Sequence, residues 1–189
     1  MIYETVVTTL SREGAVHVAP MGIRYVDASV LLMPFLPSTT YDNVIATESA
    51  VVNFTIDTRV FAGCVTGRRR AWPVVPVTAI TGVRLEGALG HVELALQEQS
   101  GDDERPVLRM RRVHEAVHAP FIGFNRAQAA VIEGAILVSR LDRLPREKIE
   151  REMAYLEIAI EKTAAANERE AWGWLQDAVH ARLTRSSEP

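Results

Sequence analysis

Pro34-Phe35-Leu36-Pro37-Ser38-Thr39-Thr40-Tyr41-Asp42-Asn43 is the stretch on which the reading of this chain turns. It leaves an apolar run, Val30-Leu31-Leu32-Met33, and enters a segment of helical character. Three consecutive hydroxyl residues mark the entry. A helix start offers backbone N–H groups without intrahelical partners, and hydroxyls beside them complete a site for an anion such as phosphate. The plainer reading is a strand-to-helix turn with an ordinary cap, here Thr40, and Asp42 in the first turn. Ser38, Thr39 and Thr40 together hold more hydroxyls than capping needs. Pro34 and Pro37 stiffen the approach and lower the entropic cost of ordering it. Asn43, one turn into the helix, brings an amide toward the same anion.

Upstream lies His17-Val18-Ala19-Pro20-Met21-Gly22, an extended segment interrupted by Pro and Gly. It reads either as a β-bulge or as a backbone edge that a flat ring can approach. Met21 is a soft apolar candidate to cover such a ring. His17 is the leading proton-donor candidate because imidazole titrates near neutral pH, although a strand histidine is more often simply paired. With the hydroxyl cluster, this segment narrows the ligand to one with a ring and a phosphate.

Working outward, the first 120 residues are β-rich. Strands are expected over 3–10, 16–26, 30–35, 50–56, 79–86, 90–97 and 107–117, with a short helix over 41–49. The stretch 58–66 reads as helix or loop, and 99–105 as a polar loop. Many short strands with Gly- and Pro-rich turns suggest a barrel or sandwich. The chain then changes character. Residues 123–141 form an expected helix whose middle is apolar on every side except at Glu133, so its own domain or a partner subunit must bury it. Glu133 itself calls for pairing with an Arg or a backbone cap, with general-base work as the alternative. Pro145 suits the start of a second helix, with Ile149, Met153, Leu156 and Ile160 at helical spacing. Trp172, Leu175, Val179 and Leu183 mark a third, and 186–189 is expected to fray. The expected division is a barrel over 1–120 and a helical extension over 121–189, a β-rich α+β fold.

Composition narrows the classes. The 189 residues are 48% hydrophobic and 24% charged, enough for a sizeable core, with a net charge of −3 that argues against a nucleic-acid surface. Arg68-Arg69-Arg70 is a short basic run, read as a solvated turn or an anion-facing edge. Cys64 is the single cysteine, so neither a disulfide nor a thiolate cluster is expected, and its apolar setting suggests a buried thiol. No signal peptide or apolar span is read, so the expected location is the cytoplasm and no membrane partner is expected. No dinucleotide fingerprint, P-loop or nucleophile elbow is present.

The order strand–AlaProMetGly–strand–ProPhe–SerThrThr–Asn–helix–ValValAsn over Gly14 to Thr55 resembles the FMN-binding split-barrel superfamily, which includes flavin reductases and pyridoxamine-phosphate-oxidase-like proteins. A small flavoprotein family of that fold is similar in its later part too, where Gly123-Phe124-Asn125-Arg126-Ala127 opens the C-terminal helices. The resemblance implies FMN as cofactor, with its phosphate at Ser38, Thr39 and Thr40 and with Asn43 nearby. It implies ring contacts along Pro20, Met21 and Gly22, and Asn53 on a strand beside the site. It implies a homodimer with the cofactor at the subunit interface and redox chemistry on a small molecule. The substrate face is expected from Arg68 to Trp72 and, across the dimer, Asn125 and Arg126. No basic ligand adjoins the hydroxyl cluster; Arg68 to Arg70 or Arg126 are the candidates.

Three alternatives stand beside this one. One is a non-enzymatic flavin-binding protein, and another a barrel holding a different flat phosphorylated or pterin-like ligand. The third rests on His114-Glu115-Ala116-Val117-His118, which matches the zinc-hydrolase pattern H-E-x-x-H. That chemistry needs a helix, whereas the flanking sequence reads as strand, where i and i+4 lie about 13 Å apart. No metal is expected.

Overall fold

The structure is a computed structural model and describes residues 1–185, so the expected fraying at 186–189 lies outside the described residues. The chain forms two compact units: Met1–Thr55 with Ala71–Phe121, and Ile56–Arg70 with the chain from Ile122 onward.

The first unit contains strands β1 (Tyr3–Leu10), β2 (Val16–Val26), β3 (Ser29–Leu32), helix α1 (Thr39–Thr47) and β4 (Ser49–Phe54). It continues with β5 (Val74–Pro76), β6 (Val83–Leu85), β7 (Gly90–Gly101) and β8 (Pro106–Val117). Six strands close an antiparallel barrel in the order β1-β2-β3-β8-β7-β4, and β5 and β6 form a separate hairpin. Alternate residues turn to opposite faces. Val7, Val52 and Val92 are paired across neighbouring strands and point into the core with Ile23, Leu32, Leu94, Leu108 and Met110. The outward residues Val6, Val51, Asn53 and Glu93 are buried as well. The segment around β5 and β6 covers them: the Thr8 hydroxyl donates to the Val83 carbonyl, and the Leu85 N–H donates to Asn53 Oδ1 at 2.7 Å. Burial on both faces explains why β1 and β4 read as apolar runs rather than alternating strands.

Three expectations are corrected. The strand over 79–86 shrinks to Val83–Leu85, because the N–H groups of Thr78, Ala79 and Ile80 turn to the Glu93 carboxylate at 3.3, 2.7 and 2.9 Å. The loop over 99–105 shrinks too, since β7 and β8 pair as far as Gly101 and Pro106. Gly101 makes that turn: its φ is +90°, and a Cβ there would lie 2.8 Å from the Arg105 carbonyl oxygen. β3 ends at Leu32, short of the expected 35, because Pro34 and Pro37 lead the chain away toward α1.

The second unit is helical: α2 (Arg59–Thr66), α3 (Arg126–Val138), α4 (Arg146–Thr163) and α5 (Ala166–Arg185). The ambiguous stretch 58–66 is thus a helix, and it is tied to α5 by Arg59, which bonds Asp57 at 2.7 Å and Glu170 at 3.2 Å. α3 starts later than expected, capped by Asn125, whose Oδ1 accepts from the N–H groups of Ala127 and Gln128. It packs against α2, α4 and α5, so this unit itself buries its apolar faces. Glu133 is exposed and needs no partner, which corrects the expectation of a paired buried carboxylate. Among the described residues, no helix is long and apolar enough to cross a membrane.

Candidate functional site

β3 and α1 are joined by six residues that end on Ser38, and Thr39 and Thr40 open the helix itself. Ser38, not Thr40, is the cap: the Tyr41 N–H donates to Ser38 Oγ at 3.3 Å. As the acceptor of that bond, Ser38 keeps its own hydroxyl hydrogen as a donor. Thr39 is exposed, whereas Thr40 is buried in the first turn. The N–H groups of Thr39 and Thr40 begin the helix, where no preceding turn supplies acceptors. Asn43 is buried and donates to Thr9 Oγ1 at 2.9 Å, so its amide pins α1 to β1.

β2 supplies the second part. Its register against β1 runs without a break from Val16 to Ile23, so no bulge occurs at Pro20. β3 joins β2 only from Ile23 onward, where Ile23 faces Leu32. Beyond that rung the two chains part: β2 continues toward Val16, and the other chain turns off to α1. The second edge of Ala19 to Gly22 therefore carries no β3 strand, and Pro20 is tolerated there because no ladder bond is lost. Met21 is half-buried against the barrel core, and its carbonyl accepts from Thr5 Oγ1 at 2.8 Å. Gly22 is required by the chain's own N-terminal segment, since a Cβ would meet Ile2 at 2.8 Å. His17 is half-buried and lies opposite Thr9, the residue that Asn43 bonds.

The tip of the β7–β8 hairpin holds the loop before Ser38. The Leu36 N–H donates to the Glu104 carbonyl at 3.0 Å, and Gln99 Nε2 donates to the Tyr41 hydroxyl at 2.7 Å. Arg105 lies with its guanidinium 4.6 Å from the centre of the Phe35 ring. Arg105 is thus a cation carried beside the hydroxyl loop, and sequence reasoning missed it. Nothing local marks it, because a hairpin-tip residue meets this loop only through strand pairing. The same turn holds Asp102, Asp103 and Glu104; Asp102 Oδ1 accepts from the N–H groups of Glu104 and Arg105.

Asn53 and Asn125 have structural roles. Asn53 is fully buried; its amide donates to Val6 O and Thr8 Oγ1, both at 3.1 Å, and accepts from Leu85. Asn125 caps α3 and donates to the Thr163 carbonyl at 3.2 Å. Arg126 and Arg68 are exposed, and Cys64 is only half-buried.

The family model described as "Protein of unknown function (DUF447) N-terminal domain" matches residues 3–119, and a second DUF447 model matches residues 125–177. The chain belongs to the DUF447 family. No curated protein matches the DUF447 chain in sequence. Among solved structures, it superposes on an FMN-bound DUF447 protein from Methanosarcina mazei with a TM-score of 0.79, at 18% identity over 94% of both chains. It superposes on flavoredoxin from Methanosarcina acetivorans with a TM-score of 0.54, at 12% identity over 62% of this chain and 69% of that one. The styrene monooxygenase flavin reductase from Pseudomonas putida S12 gives 0.51, at 14% identity over 60% and 77%. The fold of the DUF447 chain is therefore the flavin reductase-like barrel with C-terminal helices that the sequence resembles.

The H-E-x-x-H pattern of the DUF447 chain lies on β8 and just past its end, not on a helix. Glu115 pairs with Arg112, away from any base role between the histidines. Among the described residues, no group of three His, Cys, Asp or Glu is placed to hold a metal ion. This corrects the zinc-hydrolase alternative: a strand separates i from i+4 too widely for one ion.

Proposed function

We propose that the barrel unit binds FMN and uses it for hydride or electron transfer to a small molecule. The observation that carries this reading is the parting of β2 from the chain after Leu32. It leaves the backbone edge of Pro20, Met21 and Gly22 open on one side and delivers the other chain to the start of α1. A ring along that edge and a phosphate at the helix start match the two ends of one flavin nucleotide. The donor set suits a phosphate: the Ser38 hydroxyl hydrogen, the exposed Thr39 hydroxyl and the first N–H groups of α1. Arg105 adds a positive charge near the loop. Asn43 and Asn53 hold the frame through bonds within the protein, and His17 is the proton-donor candidate.

FMN, when bound, supplies a centre able to take and release a hydride or single electrons. The chain's own part is to bind, orient and shield it. The FMN-bound relative, whose superposition covers 94% of both chains, supports the cofactor, and the flavin reductase of the same fold supports a redox role. We further propose a homodimer. Ile122 and Phe124, just before α3, are 84% and 100% exposed, as expected of residues that a second copy covers.

The deciding experiment is titration of purified apoprotein with FMN, followed by flavin fluorescence and the visible spectrum. Saturable binding at micromolar FMN that weakens in the Thr39→Ala/Thr40→Ala variant supports the reading. Absence of binding overturns it. Bound FMN that neither NADH nor NADPH reduces would instead favour a flavin-holding protein without turnover.

A further inference from the structure

Glu93 is an unusual carboxylate for the outer face of a barrel. It is fully buried, and it accepts from three successive backbone N–H groups, those of Thr78, Ala79 and Ile80. Those bonds already satisfy the charge and fix the covering segment. The Thr78 hydroxyl lies 3.5 Å from Glu93 Oε1, and a fifth group meets the carboxylate: His91 Nε2 lies 3.3 Å from Oε1, and His91 is itself buried. On the far side, His91 Nδ1 lies 2.9 Å from Nε2 of His118, the two rings being parallel within 7°. His118 is exposed, and the His114 ring centre lies 6.0 Å from that of His91.

Hydrogen-bond logic orders this chain. An ionised carboxylate only accepts, so His91 carries its hydrogen on Nε2. In that tautomer His91 Nδ1 is an acceptor, and the hydrogen between the rings belongs to His118 Nε2. The remaining nitrogen of His118, Nδ1, keeps its lone pair. We propose that Glu93, His91 and His118 form a second, flavin-independent acid–base site, in which His118 Nδ1 exchanges a proton with a small oxyanion-bearing ligand drawn to the Arg84 charge. The step is a proton transfer alone. The ligand's O–H or N–H proton moves to Nδ1, the ligand leaves as its conjugate base, and no electrons change hands. The imidazolium so formed donates a stronger, charge-assisted bond to His91, and the Glu93 carboxylate behind it balances the charge.

The charges around this site are consistent with that role. Burial opposes ionisation of Glu93, but the N–H groups and His91 outweigh it and hold its pKa below the usual carboxylate range. Desolvation, then the Arg84 charge, then His91 hold the pKa of His118 below the usual imidazole value, so a free base is present at neutral pH. Arg84 is fixed by bonds from its guanidinium to the carbonyls of Leu85 and Glu86, at 3.0 and 3.1 Å. His91, Asn53, Val6 and Pro20 pair in succession across β7, β4, β1 and β2. Three strand spacings put His91 roughly 14 Å from the proposed ring edge, so the two sites are distinct.

The test uses the full chain without flavin, so its failure is separable from failure of the FMN reading. In an NMR pH titration of the imidazole C–H signals, the His118 midpoint moves when His91 is replaced in a folded His91→Gln protein. Glu93→Gln lowers the His118 midpoint by about half a unit or more, because the balancing charge is gone. Inorganic phosphate shifts the His118 signals, and Arg84→Gln abolishes that shift. Diethyl pyrocarbonate acylates His118 in the native protein, and phosphate slows the reaction. The relay is overturned if the His118 midpoint is unmoved in a folded His91→Gln or Glu93→Gln protein. Should Glu93→Gln not fold, an unmoved His118 midpoint in His91→Gln overturns the relay by itself. The oxyanion assignment is overturned if phosphate neither shifts nor protects His118.

Discussion

Asn43 donates its side-chain amide to Thr9 Oγ1 across 2.9 Å, and both residues are buried. Thr9 lies opposite His17 in the β1–β2 ladder, so one bond ties the helix that begins at Ser38 to the strand pair bearing the proposed ring edge. Removal of Asn43 leaves the Thr9 hydroxyl without its partner. Asn43→Ala is expected to lower stability by about 1–3 kcal/mol, measured by urea unfolding. FMN affinity should fall in the same variant under conditions where it remains folded. Unchanged affinity would show that α1 needs no pin.

Arg105 offers a solvent-exposed charge over Phe35. Exposed charge contacts are weak and screened by salt. Arg105→Ala should weaken FMN binding by about two- to fivefold at low ionic strength, with the difference shrinking in high salt. Riboflavin, which lacks the phosphate, should bind both proteins equally. A riboflavin effect as large as that on FMN would remove Arg105 from the phosphate.

Acid should act through Glu93. Its folded pKa is depressed, so the unfolded chain binds more protons over that range. The stability it contributes is present above the unfolded carboxylate value of about 4.3 and is lost as pH falls through the lower folded value. Glu93→Gln should be less stable than the native protein at neutral pH and lose less on acidification. Thermal unfolding from neutral pH to below 4 would test this, since parallel curves contradict the assignment.

His118 gives a separate window. Its pKa is also depressed, so its contribution is present above about 6.5 and declines as pH falls through that value toward the folded one. His118→Gln should remove that part of the pH dependence and leave the Glu93 limb in place.

Gly134 tests the helical unit. A Cβ there would lie 2.9 Å from Trp172 Cζ3 and 3.1 Å from Leu175 Cδ1. Alanine is the better helix former by about 1 kcal/mol, but overpacking against a buried indole costs about 1–3 kcal/mol. Gly134→Ala should therefore be destabilising overall in urea unfolding, and a stabilised variant would mean that α3 and α5 pack less closely than found.

Much of the barrel was legible because its signals are local. The Val- and Thr-rich run at Tyr3–Leu10, the turn at Gly14 and the apolar run of β4 declare themselves within a few residues. The helical stripes of α4 and α5 do so as well: Ile149, Met153 and Ile160, then Trp172, Leu175 and Val179, are all buried. The strand over 79–86 misled because its N–H groups were claimed by a carboxylate more than ten residues away in sequence. Thr40 misled as a cap because three adjacent hydroxyls are equivalent by propensity, and only the backbone path decides which one starts the helix.

The sequence by itself determined that a hydroxyl-rich helix start follows a short β-meander, that helices end the chain, and that the whole resembles a flavin-binding barrel. Periodicity, turn residues and motif order suffice for that because each acts over a few neighbouring positions. Only the tertiary structure decided that Arg105 stands over Phe35, that Asn43 and Asn53 are committed to holding strands and helix, and that Glu93, His91 and His118 line up. Those relationships join residues far apart along the chain, and closure of the barrel, not local propensity, brings them within hydrogen-bond reach.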